Sequence, residues 1–412
     1  MTRQFFAALL LLLAPLVLSH EEPKPLGFPD TADGRKVIAV DLHTHSVFSD
    51  GRVWPSLRVE EAERDGLAVL AITEHLEWQP HLEDIPHPDR NRAYEIALKK
   101  AEGGNVLVIN GAEVTRGAEV GHMNAVFIDD ANAMMSPGKP SAHNNDDMGA
   151  RFMHPTADNL AEARESLEKA RAQGGFIFLN HPSWPGLSPD GRGRLSDFQQ
   201  SLIDDGLIDG IEVGNGGRYS ADALQIALDN NLAILGTSDV HGLVAWDYAQ
   251  PGEHLVPGGK GARTTTLLAV KSVNAEQVNK ALNQKRTVTL VSNQLFGREQ
   301  DLSTVLSGGL SFTIAGKVPS YVGESSVYTL AFSNELPIPI VIRNTSGTWF
   351  ATGANTLTIP PHGTASVDAA QLSDPDQLQT LGVEVMNAHT APQVPLQHSI
   401  ARHTHPDQVE GI

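Results

Sequence analysis

Between residues 37 and 291 the chain alternates short apolar runs with longer polar, helix-compatible stretches. The runs are VIAVDLHTH, LAVLAITEH, NVLVINGAEV, MNAVFIDD, GGFIFLNHP, IDGIEVGN and LAILGTSDVH, followed by the less regular RTTTLLAV and RTVTLV. Nearly unbroken Val/Ile/Leu strings of this length fit strands buried on both faces, as in a parallel sheet. The intervening stretches predict helices over 58–65, 90–100, 157–173, 221–230 and 275–284. Alternating β and α over this length predicts an α/β barrel or an open doubly wound sheet.

The residues that end the runs favour the barrel. His43 and His45, Glu74 and His75, Glu113, His181, Glu212, and Asp239 with His241 each lie at a run's C-terminal end. A barrel brings all strand C-termini to one face, whereas an open sheet spreads them along a line. The expected fold class is therefore α/β, a distorted TIM-like barrel. From about Ser303 the pattern changes to short, turn-separated, Thr- and Val-rich runs such as SFTIAGKVPS, VYTLAFSN and PIPIVIRN. That is an antiparallel pattern and predicts a small all-β sandwich-like domain. The expected division is a leader over 1–19, a barrel over 20–300 and a β domain over 301–412. The segment 129–159, with MMSPGKPSAHNNDDMG, reads as a long insertion over the barrel mouth.

The first residues, MTRQFFAALLLLLAPLVLS, place Arg3 before an apolar stretch and small residues near Ser19. This is the pattern of a cleaved secretory signal. The stretch is short for a membrane span, so no stable membrane insertion is expected after cleavage. The chain has no Cys, which excludes disulfides and a lipoprotein anchor. Export without Cys points to a bacterial periplasm or the medium. Length alone suggests two or three domains in 412 residues. The formal charge of -19 makes a grip on a nucleic-acid polymer improbable, while a small anionic substrate stays compatible if bound cations reverse the local sign. The oligomeric state is not readable.

The candidate chemistry lies at the run ends. In His43-Thr44-His45 and in Asp239-Val240-His241 the i and i+2 side chains of an extended segment point to one side. The second HTH, His403 to His405, sits in a polar tail without a strand pattern and carries little weight. With Asp50, His75, Glu113, His122 and His181, nine nitrogen and oxygen donors would converge. Unpaired charge in a core is very costly, and divalent cations resolve it. Mixed imidazole and carboxylate donors suit Zn, Mn or Fe.

The order HxH…SDG…TEH…GAE…GH…NHP…IEV…SDVH resembles the polymerase-and-histidinol-phosphatase (PHP) family of metal-dependent phosphoesterases, over residues 37–298. The stretch RTVTLVSNQLFGREQDL with its β-rich tail resembles secreted members carrying a C-terminal β domain. The resemblance implies a distorted (β/α)7 barrel with two or three divalent metal ions. His43, His45, Glu113 and Asp239 would hold the first; Glu113 would bridge to a second held by His122 and His181; Asp50, His75 and His241 would hold a third. Some trinuclear members have His where Asp50 stands, and TEH replaces the commoner TDH. Metals sharing Glu113 would arm a bridging water as hydroxide and neutralise phosphoryl charge. The implied activity is hydrolysis of small phosphodiesters or phosphomonoesters. Catalytic roles fall on Glu113 and Asp239, with His81 and Arg116, and also His154 and Arg218, as candidates for phosphate contact or acid work. Glu212 and Asn215 are expected to support the metal ligands by hydrogen bonding. Trp54, Trp78 and Trp184 are candidate walls for an apolar substrate group. Two other readings remain: a metal-dependent hydrolase of an amide or lactone, and a PHP-like binding scaffold without catalysis.

Overall fold

A computed structural model describes residues 26–136, 139–249, 261–319, 326–370 and 375–403. The leader over 1–19 and most of the second HTH lie outside the described residues. Every apolar run named above becomes a strand. β1 (Lys36–Asp41), β2 (Val69–Ile72), β3 (Leu107–Thr115), β4 (His122–Val126), β5 (Phe176–Leu179) and β6 (Gly210–Asn215) are followed by a two-residue β7 (Arg218–Tyr219), β8 (Ala233–Thr237), β9 (Thr265–Val270), β10 (Val288–Val291) and β11 (Gln294–Gly297). Their side chains are almost all buried, as the unbroken apolar runs require.

The helices between them start and stop on local signals. α1 (Pro55–Asp65) has Pro at its first turn and ends on Gly66 at φ 78, a left-handed cap that glycine adopts without steric cost. α2 is Arg92–Ala101 and α3 Asn145–Phe152. α4 (Ala157–Ala172) is capped by Thr156, and α5 (Asp197–Asp204) by a reciprocal Ser196/Gln199 box. α6 (Ala221–Asp229), the single-turn α7 (Val244–Asp247), α8 (Ala275–Asn283) and α9 (Glu299–Leu306) complete the set.

The strand order is β9–β1–β2–β3–β4–β5–β6–β8. This corrects the expected (β/α)7 barrel in two respects. First, β3/β4, β4/β5 and β1/β9 are antiparallel. The link from β3 to β4 is too short for a helical crossover. Second, the backbone ladder does not close. The seam between β8 and its neighbours is made by threonines: Thr287 Oγ1 accepts from Ile234 N, and Thr266 Oγ1 accepts from Gly236 N while donating to Gly236 O. Gly236 permits that approach, because a Cβ there would lie 2.6 Å from Thr265 O. The strands rejoin only at the ligand-bearing end, where Thr44 bridges Val240. There His45 N donates to Val240 O (3.1 Å) and Asp239 N to His43 O (2.9 Å).

Among the described residues beyond 309 the regular elements are strands, apart from one 3-10 turn at Pro375–Gln377: β12 (Leu310–Lys317), β13 (Tyr328–Asn334), β14 (Ile340–Asn344), β15 (Trp349–Phe350), β16 (Thr356–Ile359), β17 (Gly363–Ala370), β18 (Thr380–Ala391) and β19 (Val394–Arg402). It is joined to the first domain by a backbone ladder. β11 pairs with β18 in parallel, and β18 pairs with β14 and β19. One continuous apolar core runs through Leu267, Val288, Leu295, Phe312, Ile342 and Val385. No helix among the described residues is long and apolar enough to cross a membrane.

Candidate metal centre

The site forms where β1, β3 and β8 end. His43 and His45 leave β1 on the same side and are fully buried. Hydrogen bonds fix the tautomers. Glu212 Oε1 lies 2.7 Å from His43 Nδ1, so that nitrogen carries the proton and Nε2 is bare. Ser49 donates its hydroxyl proton to Glu74, so its oxygen can only accept from His45 Nδ1, at 3.2 Å. His45 Nε2 is then bare too. The two bare nitrogens stand 3.0 Å apart, each 3.2 Å from Asp239 Oδ1 and within 3.5 Å of Glu113 Oε2. Two imidazole nitrogens and two carboxylate oxygens facing one point call for positive charge between them, as ring protons or as a metal cation.

Glu113, fully buried at the end of β3, presents one oxygen to each side. Oε2 also faces His75 Nδ1 at 2.7 Å. Oε1 faces His122 Nδ1 at 3.0 Å and His181 Nε2 at 3.8 Å, and accepts from Asn180 Nδ2 at 2.9 Å. On the outer side, Asp50 Oδ1 lies 3.3 Å from His75 Nε2 and 3.1 Å from His241 Nε2. Three groups result whose donor atoms lie within 4.8 Å of one another: His43, His45 and Asp239; Glu113, His122 and His181; His45, Asp50, His75 and His241. All nine sequence-expected donors are thus brought together. The grouping differs in two respects: His45 belongs to both the first and third sets, and Glu113 groups with His122 and His181 only, although its Oε2 faces the first set.

The electrostatics fit the geometry. Burial pushes the His43 and His75 imidazoles down, but the carboxylates outweigh it and hold both well above the ordinary value. For His43 these are Asp239, Glu212 and Glu113; for His75, Glu113 and Asp50. His181 and His241 are raised for the same reason. Burial alone would raise Glu113, yet His75, His43 and His122 hold it well below the usual range, and Asp239 and Asp50 are lowered likewise. Only His122 goes down, driven by burial. The pocket is a well for positive charge, which protons or divalent cations can fill. Backbone strain marks the same spot, since Asp239 (φ 51) and His181 (φ 26) are both left-handed.

A second layer holds these ligands. Glu212 takes four contacts: His43 Nδ1 and Thr237 Oγ1 on one oxygen, His181 N and Asn215 Nδ2 on the other. The sequence expectation for Glu212 and Asn215 anticipated such contacts. Other members of this layer were not legible. Glu74 gathers Ser46 N with the Ser46 and Ser49 hydroxyls. Arg58 is fully buried and donates to His45 O (2.8 Å) and Val240 O (3.0 Å), tying the two ligand strands together. Asp41 accepts from Ser238 N and pairs with Arg263, which also pairs with Asp65. The charge of Arg58 and Arg263, and the place of Arg263 just before an apolar run, was the only available signal.

Seven of the nine donors, all but His43 and His45, line a cavity of about 520 Å3 walled by Trp78, Met148, Met153, Trp184 and Leu187. The insertion over 129–159 does roof it, through Asn145, Met148 and Met153. Trp184 packs edge-on to His181 and at a tilt against His122, while Trp54 contacts Phe48 outside the cavity. The proposed phosphate contacts are placed elsewhere. Arg116 is buried in the wall, paired with Glu77 at 3.0 Å and stacked over Phe152. His81 caps a turn through its carbonyl, accepting from Ile85 N, and does not line the cavity. His154 and Arg218 are exposed and outside it.

Comparison with known proteins matches an Ig-like domain family (DUF5001) to residues 314–401. No curated protein matches the chain. The solved structure of a two-domain protein containing a predicted PHP-like metal-dependent phosphoesterase, from Bacteroides vulgatus, is similar over nearly the whole length. It shares 29% identity at a TM-score of 0.75, covering 92% of this chain and 98% of that one. A candidate metal-dependent phosphoesterase from Bifidobacterium adolescentis aligns at 21% identity and a TM-score of 0.37, over 59% of this chain and 95% of its own. The resemblance to the PHP family, with a C-terminal β domain, is thereby borne out, and that β domain is Ig-like.

Proposed function

We propose that this two-domain PHP-like protein is an exported, metal-dependent phosphoesterase acting on small organic phosphodiesters or monoesters. One observation carries the reading: nine imidazole and carboxylate residues from distant segments meet around Glu113, and Asp50 Oδ1, Glu113 Oε2, His122 Nδ1 and His181 Nδ1 are buried there without a hydrogen-bond partner among the described residues. The donor set fits two or three divalent ions, with Mn, Zn or Fe favoured by nitrogen and oxygen ligands. His43, His45 and Asp239 would hold one, Glu113 with His122 and His181 a second, and Asp50, His75 and His241 a third. Bound cations supply Lewis acidity, lowering the pKa of coordinated water and offsetting phosphoryl charge.

The chain's own residues set the rest. Glu212 holds His43 in the tautomer that leaves Nε2 free. Asn180 donates to Glu113 and is itself held by Asn124, whose amide oxygen accepts from it. No Arg or Lys is among the described residues lining the cavity, so neutralisation of the ester's charge falls to the cations. Trp78, Trp184, Met148 and Met153 form an apolar wall that excludes water and suits an apolar ester group. The leader pattern supports periplasmic or extracellular location, and N-terminal sequencing of the mature protein tests it. The acidic chain argues against a nucleic-acid polymer as substrate.

The test is turnover of bis(p-nitrophenyl) phosphate and of p-nitrophenyl phosphate by protein loaded with Mn or Zn. Metal-dependent hydrolysis of at least one is expected. Hydrolysis of neither, with a panel of amides or lactones turned over instead, would overturn the assignment.

A further inference from the structure

We propose a second ligand site, for a small organic oxyanion with an apolar body, in a cavity of about 860 Å3 on the far side of the segment that walls the metal centre. Trp78 bridges Ala142. Trp78 faces the metal cavity, whereas its neighbour Gln79, with Ser141, lines the second one. The two cavities thus lie back to back across one bridged pair of strands.

Arg90 is the reason to expect an anion. Its side chain lines the cavity and is half-buried, and Nη2 donates to Ser141 Oγ. Nη1 is buried without a partner, and among the described residues no carboxylate lies within ion-pair distance of Arg90. The acids whose field reaches it are committed elsewhere. Glu77 is paired with Arg116, and Glu74 with the Ser46 and Ser49 hydroxyls. Burial accordingly pulls the guanidinium down to about 10. A desolvated cation without a counter-charge is costly, and a bound oxyanion would remove that cost through charge-assisted hydrogen bonds. Lys139 and Lys169 stand at the rim, in ion pairs with Glu162 and Glu165 that water can exchange. Net uncompensated charge is therefore about one, which fits a monoanion such as a carboxylate. Leu82, Pro86 and Met135 supply the apolar part of the wall.

The probe is 6-bromohexanoate, titrated calorimetrically into the metal-loaded full-length protein. The wild type and His43→Ala should bind it with similar affinity, and Arg90→Gln at least about tenfold more weakly. Equal binding by Arg90→Gln, abolition by His43→Ala, or no saturable binding below about 10 mM would overturn the proposal. Because Arg90→Gln could unfold, a bromine anomalous map of wild-type crystals soaked in the probe gives an independent result. A peak beside Arg90 is expected; peaks at the metal centre alone refute the site. None of these readings depends on phosphoesterase turnover.

Discussion

Replacing Glu212 by Gln isolates the contribution of the layer behind the metal ligands. Glu212 is 1% exposed and accepts four hydrogen bonds with two oxygens, at 2.6–2.9 Å. Glutamine keeps the shape but offers one acceptor oxygen. Whichever way the amide turns, its NH2 faces two donors, either His43 Nδ1–H with Thr237 O–H or His181 N–H with Asn215 NH2. Two bonds to a charged acceptor are lost, each worth about 1.5–3 kcal/mol, so a stability loss of about 3–6 kcal/mol is the upper bound. Metal binding suffers separately, because His43 can turn or take the other tautomer. Loss of a partner of this kind typically costs about 10–100-fold in affinity, or about 1.4–2.8 kcal/mol at 1.4 kcal/mol per decade. The assay is chelator competition for Mn, paired with thermal melts with and without metal. A folded Glu212→Gln protein that binds Mn within about threefold of wild type would refute the idea that Glu212 positions His43. Thr237→Val removes one donor only and should give a smaller loss in the same direction.

Other expectations follow from the same contacts. His43, His75, His181 and His241 are all held above the ordinary imidazole value, so protons compete with metal as pH falls. Mn affinity should rise from pH 6 to pH 8, with proton release on binding in calorimetry; a flat profile contradicts this. Asp301 is raised from 3.8 to about 6 by burial, despite Arg298 and Arg286. A raised acid stabilises the fold below its unfolded value, and that contribution is lost as pH rises through the folded one. Asp301→Asn should therefore raise stability at pH 7 by about 1–2 kcal/mol after allowance for its partial exposure, with no gain at pH 4 in denaturant titrations. Arg58→Met leaves Glu61 buried without its 2.6 Å partner and frees the His45 and Val240 carbonyls. A cost of about 3–5 kcal/mol in chemical denaturation is expected. A Cβ on Gly117 would lie 2.1 Å from Met153 O, so Gly117→Ala should displace the roof over 145–153 and lower kcat/KM while metal content is retained.

The ligands were legible because two local rules place them. Strand ends in a barrel-like sheet converge, and i,i+2 pairs share a side, so His43/His45 needed no knowledge of tertiary contacts; Asp239, left-handed at φ 51, departs from the extended rule, and it is the convergence of strand ends that brings it and His241 to the site. The nine apolar runs and five helices were legible for the same reason: their period and length are local. What failed was decided by distant partners. Arg116 reads as a mouth residue until Glu77 and Phe152 arrive from other segments and bury it. Antiparallel pairing of β3 with β4 was hidden because both runs are buried on two faces and so carry no alternation. The short α9 was missed because it is stabilised largely by the face it buries, whereas α5 carried a local signal, the Ser196/Gln199 box, that was not used. The β11–β18 ladder joining the two domains has no sequence signal, since edge pairing is made by backbone groups. Arg58 lies in a polar helix and Arg263 and Glu74 in or beside apolar runs, but nothing local says which carbonyl or hydroxyl they hold.

The central claim is that donors from these separate segments grip divalent cations. The direct measurement is anomalous diffraction at the metal edge on crystals loaded with Mn or Zn, with metal content determined on the same sample. Two or three peaks are expected, all among His43, His45, Asp50, His75, Glu113, His122, His181, Asp239 and His241. Less than one equivalent of bound metal, or peaks lying away from Glu113, would contradict the account.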